Sequence, residues 1–150
     1  FRAKTAVSRL LEVIDATPEA VADSQKPVVK LPHSEDIYCN NLCFHHTGRT
    51  SLLEDFTIKL PGGKSMAFIG KSGCGKSSLA KLIAGLYQPQ SGNICVGMFS
   101  LQVLSLSCLR EQIVFVPQDP HFWSRSILEN FRLGNPYASF EQVITACKIA

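Results

Sequence analysis

No stretch of this sequence is long and apolar enough to cross a bilayer. Its longest purely hydrophobic runs, at residues 66–69 and 113–116, are only a handful of residues long, against the roughly 20 that a membrane helix needs. Charge of one sign is equally scarce. Fifteen basic and twelve acidic residues leave a net charge of +3, too weak a bias to argue for a nucleic acid or a membrane surface as partner. The six cysteines, Cys39, Cys43, Cys74, Cys95, Cys108 and Cys147, are scattered without the rhythm of a disulfide framework, which reads as free thiols in a reducing compartment. There is no internal repeat and no low-complexity tract. The chain opens on Phe1 rather than Met, without a secretory signal, and reads as a piece cut from a longer chain.

What is there suits a soluble globular fold. Of the 150 residues, 45% are hydrophobic and 18% charged, enough for one small domain with a real core. Ala3, Ala6, Val7, Leu10, Leu11 and Ile14 recur at spacings of three and four and predict an amphipathic helix ended by Thr17-Pro18. Residues 19–36 carry Pro27 and Pro32 and no period, which predicts a linker.

From residue 37 the text changes. Strands are predicted at 38–44, at 55–60 with Phe56, Ile58 and Leu60 on one face, and at 93–96. The runs 65–69 and 113–116 read as buried strands. A helix starting near Lys76 presents Leu79, Leu82, Ile83 and Leu86, and residues 89–92 stop it. A short helix is expected at 126–131. A last one, with Ser139 and Gln142 as a capping box, is expected to bury Val143, Ile144 and Cys147. Strand, loop, helix and strand again predict an α/β fold on a partly parallel sheet.

One motif carries chemistry. Gly70-Lys71-Ser72-Gly73-Cys74-Gly75-Lys76-Ser77 fits the phosphate-binding pattern G-x-x-x-x-G-K-[ST] at every fixed position. Glycines let successive N–H groups turn inward into a nest for an anion, and the following helix points its positive end at the same place. Lys76 adds a point charge for the β- and γ-phosphates, and Ser77 a hydroxyl for Mg²⁺. A chance match would not need a buried run before it and a helix after it; this one has both.

The surrounding text, NLCFHH, LLEDFTIKLPGGKSMAFIGKSGCGKSSLAKLIAGLYQPQSG, CLREQIVFVPQDP and SILENFRLG, resembles the nucleotide-binding domain of ABC transporters, particularly exporters. Its texture is most similar to type I secretion and bacteriocin or peptide exporters. The resemblance implies a P-loop core with an antiparallel β subdomain. Residues 1–36 would then be a linker helix and connector from a membrane domain, and 37–150 the N-terminal part of the nucleotide-binding domain. It also implies ATP and Mg²⁺ as cofactors, and hydrolysis coupled to export of a substrate, peptide or protein, across a membrane. The partners implied are the transporter's membrane-spanning domain and a second nucleotide-binding domain packed head to tail. The place implied is the cytoplasmic face of a membrane.

Residue by residue, the resemblance puts Ser78 beside the α-phosphate and Cys74 where a small residue separates the glycines. Gln118 matches the glutamine that joins the Mg²⁺ shell and relays nucleotide state. His46 falls where an aromatic side chain stacks on adenine, with His45 or Phe44 as neighbours that could lie near the base; Phe44 reads better as core. Phe122 and Trp123 stand either for a docking surface against the membrane domain or for local core. The family's signature motif, its second acidic strand and its catalytic Glu are absent before Ala150, so these 150 residues are expected to bind nucleotide without turning it over.

Other readings were weighed. A soluble kinase or GTPase would not need the Gln118 block, and no N-K-x-D guanine motif occurs. A binding-only nucleotide module would also lack the second acidic strand. Cys39, Cys43, His45 and His46 are zinc-ligand types, but in one strand alternate side chains face opposite ways and could not easily converge. His33 and His121 read as lone histidines, solvated or capping.

Overall fold

The structure is a computed structural model that describes residues 7–8, 10–11, 13–16, 23, 25–32, 34–48 and 51–150. Two compact units form, Phe1–Phe115 and Val116–Ala150.

The first unit is built on a four-stranded sheet in the order β2-β1-β3-β4. Its strands are β1 (Ile37–Phe44), β2 (Leu53–Leu60), β3 (Ser91–Val96) and β4 (Phe99–Ser100). All three pairings are antiparallel. Alternation in β1 slips once: Cys39, Leu42 and Phe44 are all buried, because the ladder to β2 shifts register between Cys39 and Leu42. Asn41 and Asp55 hold that irregularity at positive φ, 49° and 48°, and the Asn41 amide donates to the Asp55 carboxylate. The slip returns Phe44 to the core side.

Helix α1 (Lys76–Ile83) lays Leu79 and Leu82 against this sheet. Helix α2 (Leu106–Gln112), which no strong period announced, adds Cys108 and Leu109 to the buried set. A 3-10 turn at Leu101–Val103 leads into it. Leu42, Leu82, Leu104, Leu109 and Cys39 are the most deeply buried side chains.

Several expectations are corrected here. Residues 65–69 and 113–116 are not strands, and they are not buried: Ile69 is 96%, Val114 79% and Val116 77% exposed. A ladder needs a neighbour that exchanges hydrogen bonds, and no described strand runs beside either segment. The sheet that forms is therefore antiparallel throughout. Helix α1 ends at Ile83 rather than running on to Leu86, which is exposed. Ala84 closes it by donating its N–H to the Ala80 carbonyl, and the chain turns at Gly85.

At the N-terminal end, residues 7–8, 10–11 and 13–14 are helical, with Leu10, Leu11 and Ile14 exposed. Ala3, Ala6 and the predicted stop at Thr17-Pro18 lie outside the described residues, as does His33. Residues 27–32 hold no helix or strand, yet they lie along α2 as a strap. Gln112 donates to the Val29 carbonyl at 2.9 Å and accepts the Leu31 N–H at 2.6 Å. The Cys108 thiol also donates to the Val29 carbonyl, and Leu31 is buried in the core.

The second unit carries α3 (Ile127–Gly134) and α4 (Phe140–Ile149), each opened by a capping box, Ser126 with Glu129 and Ser139 with Gln142. Of the residues expected to be buried by the last helix, only Val143 is; Ile144 and Cys147 are exposed. Asn130 clamps the turn before α3, accepting the Trp123 N–H at 2.9 Å and donating to the Trp123 and Ser126 carbonyls. Phe122 and Trp123 stand exposed on that turn, with His121 edge-on to the Trp123 ring.

Candidate functional site

The glycine-rich loop leads directly into α1, and its backbone explains its composition. Gly73 and Gly75 sit at φ 82° and 97°, a left-handed region that side-chain-bearing residues enter at a cost of about 1–3 kcal/mol. A Cβ on Gly75 would also come within 3.3 Å of Leu52 and of Leu53. Gly75 is the N-cap of α1, so no side chain occupies the helix's first N–H groups, and the first turn holds no acidic residue. The positive end of the helix is left bare for an outside anion.

Lys76 fills that concavity in the meantime. Its ammonium donates to the carbonyls of Gly70 and Lys71, both at 2.8 Å, and reaches the Cys74 sulfur at 3.5 Å. A compact cation is thus already held inside the loop by exchangeable partners. Cys74 turns its sulfur toward Gly70, where an added Cβ would meet it at 2.9 Å. Lys71, Ser72 and Ser77 are exposed, Ser77 on the first helical turn. Backbone nest, ammonium and free-standing hydroxyl are the donor set that a polyphosphate with Mg²⁺ calls for. These residues fit the group.

Ser78 does not share that exposure. It is buried, and its hydroxyl lies 3.3 Å from Nε2 of His46. The His46 ring stands edge-on to Phe44 and to Tyr87, with centroids 5.0 and 5.5 Å away, while Phe44 and Tyr87 stack on each other. Lys81 places its ammonium 5.3 Å from the Tyr87 centroid. Phe44 is buried core, as expected. Tyr87 is the member of this cluster that sequence reasoning missed; the same-side spacing of Phe44 and His46 was the available signal. His45 is tied through its backbone to Gln90, which accepts its main-chain N–H and donates to its carbonyl.

Gln118 lies in the second unit, exposed on a bend. The zinc-type residues fall into unlike surroundings. Cys39 is fully buried, and burial pushes its thiol up to about 11, whereas the Cys43 sulfur accepts the Asp55 N–H at the sheet surface.

A glycine loop between an apolar segment and a bare helix N-terminus, with a lysine seated in it, defines a P-loop nucleotide-binding fold. Comparison with known proteins narrows this. The sequence profile of ABC transporters matches residues 53–150. "ABC transporter B family member 1" of Arabidopsis thaliana is 32% identical over 151 residues, covering 99% of this chain and 12% of that protein. "Lactococcin-G-processing and transport ATP-binding protein LagD" of Lactococcus lactis is 31% identical over 150 residues, covering 99% of this chain and 21% of the relative. The structure of a bacterial Atm1-family ABC exporter with ATP bound superposes with a TM-score of 0.82 at 26% identity, over 98% of this chain and 26% of that one. The chain belongs to the ABC transporter family, and it is a nucleotide-binding domain of the exporter type. It spans 12% and 21% of the length of the two curated relatives.

Proposed function

We propose that these residues bind Mg-ATP as part of an exporter that couples ATP binding and hydrolysis to movement of a peptide or protein across a membrane, from its cytoplasmic face. The carrying observation is the Lys76 ammonium held by the Gly70 and Lys71 carbonyls at the bare start of α1. An incoming phosphate replaces two neutral carbonyls with an anion, so the same cation gains charge-assisted bonds. Gly70, Gly73, Cys74 and Gly75 contribute backbone, with Lys71 and Ser72 at the rim. Ser77 would hold Mg²⁺, and the ion would supply charge neutralisation between the β- and γ-phosphates. In the same reading a second nucleotide-binding domain packs head to tail, a membrane-spanning domain is the mechanical partner, and residues 1–36 connect to it.

The peptide-or-protein part rests on sequence texture and on LagD, whose name states lactococcin-G processing and transport; a plant B-family member at 32% identity is just as similar. The family's second acidic strand and catalytic Glu pattern do not occur in the sequence, so we infer that these residues bind nucleotide without turning it over.

The test is Mg-ATP binding by calorimetry to the chain and to Lys76→Ala, with phosphate release followed in the same samples. Loss of one charged donor is expected to weaken binding by about 10- to 100-fold, from about 1.5–3 kcal/mol, with no phosphate released. Equal affinity in both proteins would sink the site, and sustained turnover by the 150 residues would sink the inference about hydrolysis.

A further inference from the structure

A cavity of about 230 Å³ opens within the first unit, between α1, β3 and α2. Its floor is the core itself: Leu82, Ile94, Leu101 and Leu109 line it and are all buried. Tyr87, held by stacking on Phe44, forms part of its wall. Among the described residues that line it, only Lys26 carries a charge. The Lys26 ammonium donates to the Gln102 carbonyl at 3.0 Å. Gln102 lines the cavity as well, so that bond seats the cation at the rim.

The cation has no acidic partner there. Asp23, whose carbonyl accepts the Lys26 N–H, commits its carboxylate to the Leu106 and Ser107 N–H groups and to the Ser105 hydroxyl. No carboxylate among the described residues forms an ion pair with Lys26. A neutral carbonyl is a weak partner for an ammonium, and an anion would bond to it more strongly. An apolar floor with one cation at its edge therefore matches a ligand of the same polarity, an apolar body with a single negative charge. A dry cavity of about 150 Å³ accepts a benzene ring. The larger volume here leaves room for one ring and a short arm that reaches the rim. A ring also suits the aromatic wall at Tyr87, and it loses less freedom on binding than a flexible chain of equal size.

From this geometry we propose that the cavity is a binding site for a small aromatic monocarboxylate, with its ring on the leucine-rich floor and its carboxylate on the Lys26 ammonium. No residue of the 70–78 loop lines it, so the proposal stands apart from the nucleotide site.

The experiment titrates the whole chain with hydrocinnamate and, separately, with hydrocinnamyl alcohol, which keeps the body and loses the charge. Binding is followed by backbone amide shifts, whose largest changes should fall on Gly85, Ile94 and Leu109 at the cavity wall. The acid is expected to bind with a dissociation constant of about 1 mM or tighter, the reach of so small a ligand. The alcohol should bind about tenfold more weakly, through loss of one charge-assisted bond at a half-exposed site. Lys26→Met keeps the apolar stem without the charge; in it the acid should fall to the level of the alcohol, and the alcohol should not change. Leu106→Trp lays a larger ring across the cavity and should abolish binding of both, while Lys26→Met decides the matter if that variant does not fold. Equal affinity for acid and alcohol, or for the acid in the parent and in Lys26→Met, overturns the proposal. So do acid binding that persists in a folded Leu106→Trp, shifts that map to another surface, and absence of binding at about ten times the expected dissociation constant. Each of these results leaves the nucleotide site standing.

Discussion

Helices α1 to α4 begin in three different ways, and the differences separate folding from function. Helices α3 and α4 start on capping boxes, each serine bonding to the N–H three residues on. Helix α2 has no side-chain cap of its own; a carboxylate from the far N-terminal side, Asp23, takes the N–H groups of Leu106 and Ser107 and the Ser105 hydroxyl. Helix α1 has nothing but glycine. A capped helix satisfies its own orphan donors, and its sequence says so locally. An uncapped one must be held by packing, and its orphans remain available to a ligand. Leu79 and Leu82 supply that packing for α1.

The contrast breaks most sharply at Leu82. Truncation to Ala removes one of the most buried side chains of the unit and should cost about 2–5 kcal/mol in denaturant unfolding. If α1 leaned instead on its N-terminus, the loss would fall well below that range. Next in size comes Gly75→Ala. Left-handed φ and contacts at 3.3 Å to Leu52 and Leu53 together predict about 1–3 kcal/mol of destabilisation, with weaker nucleotide binding measured in the same protein. A neutral Gly75→Ala would mean that the bare N-terminus is a tolerance rather than a requirement.

What the sequence revealed divides along the same line. The loop Gly70 to Ser77 and the Ser139–Gln142 box were legible because each is a local pattern with a local mechanism. The strand at 55–60 was legible from alternation, although the slip at Asn41 that turns Phe44 inward was not. The runs at 65–69 and 113–116 misled. Apolarity marks a segment that some neighbour can bury, and it does not say that the neighbour lies within the described residues. Helix α2 and the strap along it were missed because their bonds join residues far apart in sequence, as from Gln112 to Val29. The His46–Ser78 pair was missed for the same reason.

Ser139→Ala sharpens the comparison from the capped side. Both bonds of that box run through residue 139, Gln142 N–H to its hydroxyl and its own N–H to the Gln142 side chain. Removing the hydroxyl should cost about 1 kcal/mol, read as faster amide exchange confined to the first turn of α4. Exchange rising in α1 instead would show that the ends are not independent.

The smallest effect tests the remote cap. Asp23 is held below its usual carboxylate range chiefly by the Leu106 N–H, helped by Ser105, Ser107 and Lys26. A carboxylate whose folded value is depressed binds fewer protons folded than unfolded. Its stabilising contribution is therefore complete above the unfolded value of about 4 and disappears as the pH falls through the lower folded one. Because the group is only partly buried, the effect is modest and screened by salt. Asp23→Asn should lower the midpoint of thermal unfolding slightly at pH 7 and match the unmodified chain near pH 2. The serine-capped end of α3 offers the internal control. There Glu129 is depressed chiefly by the Ser126 hydroxyl, so Glu129→Gln should converge with the parent over the same acid range. If Asp23→Asn were equally destabilised at both pH values, the cap would act through shape and hydrogen-bond number rather than charge.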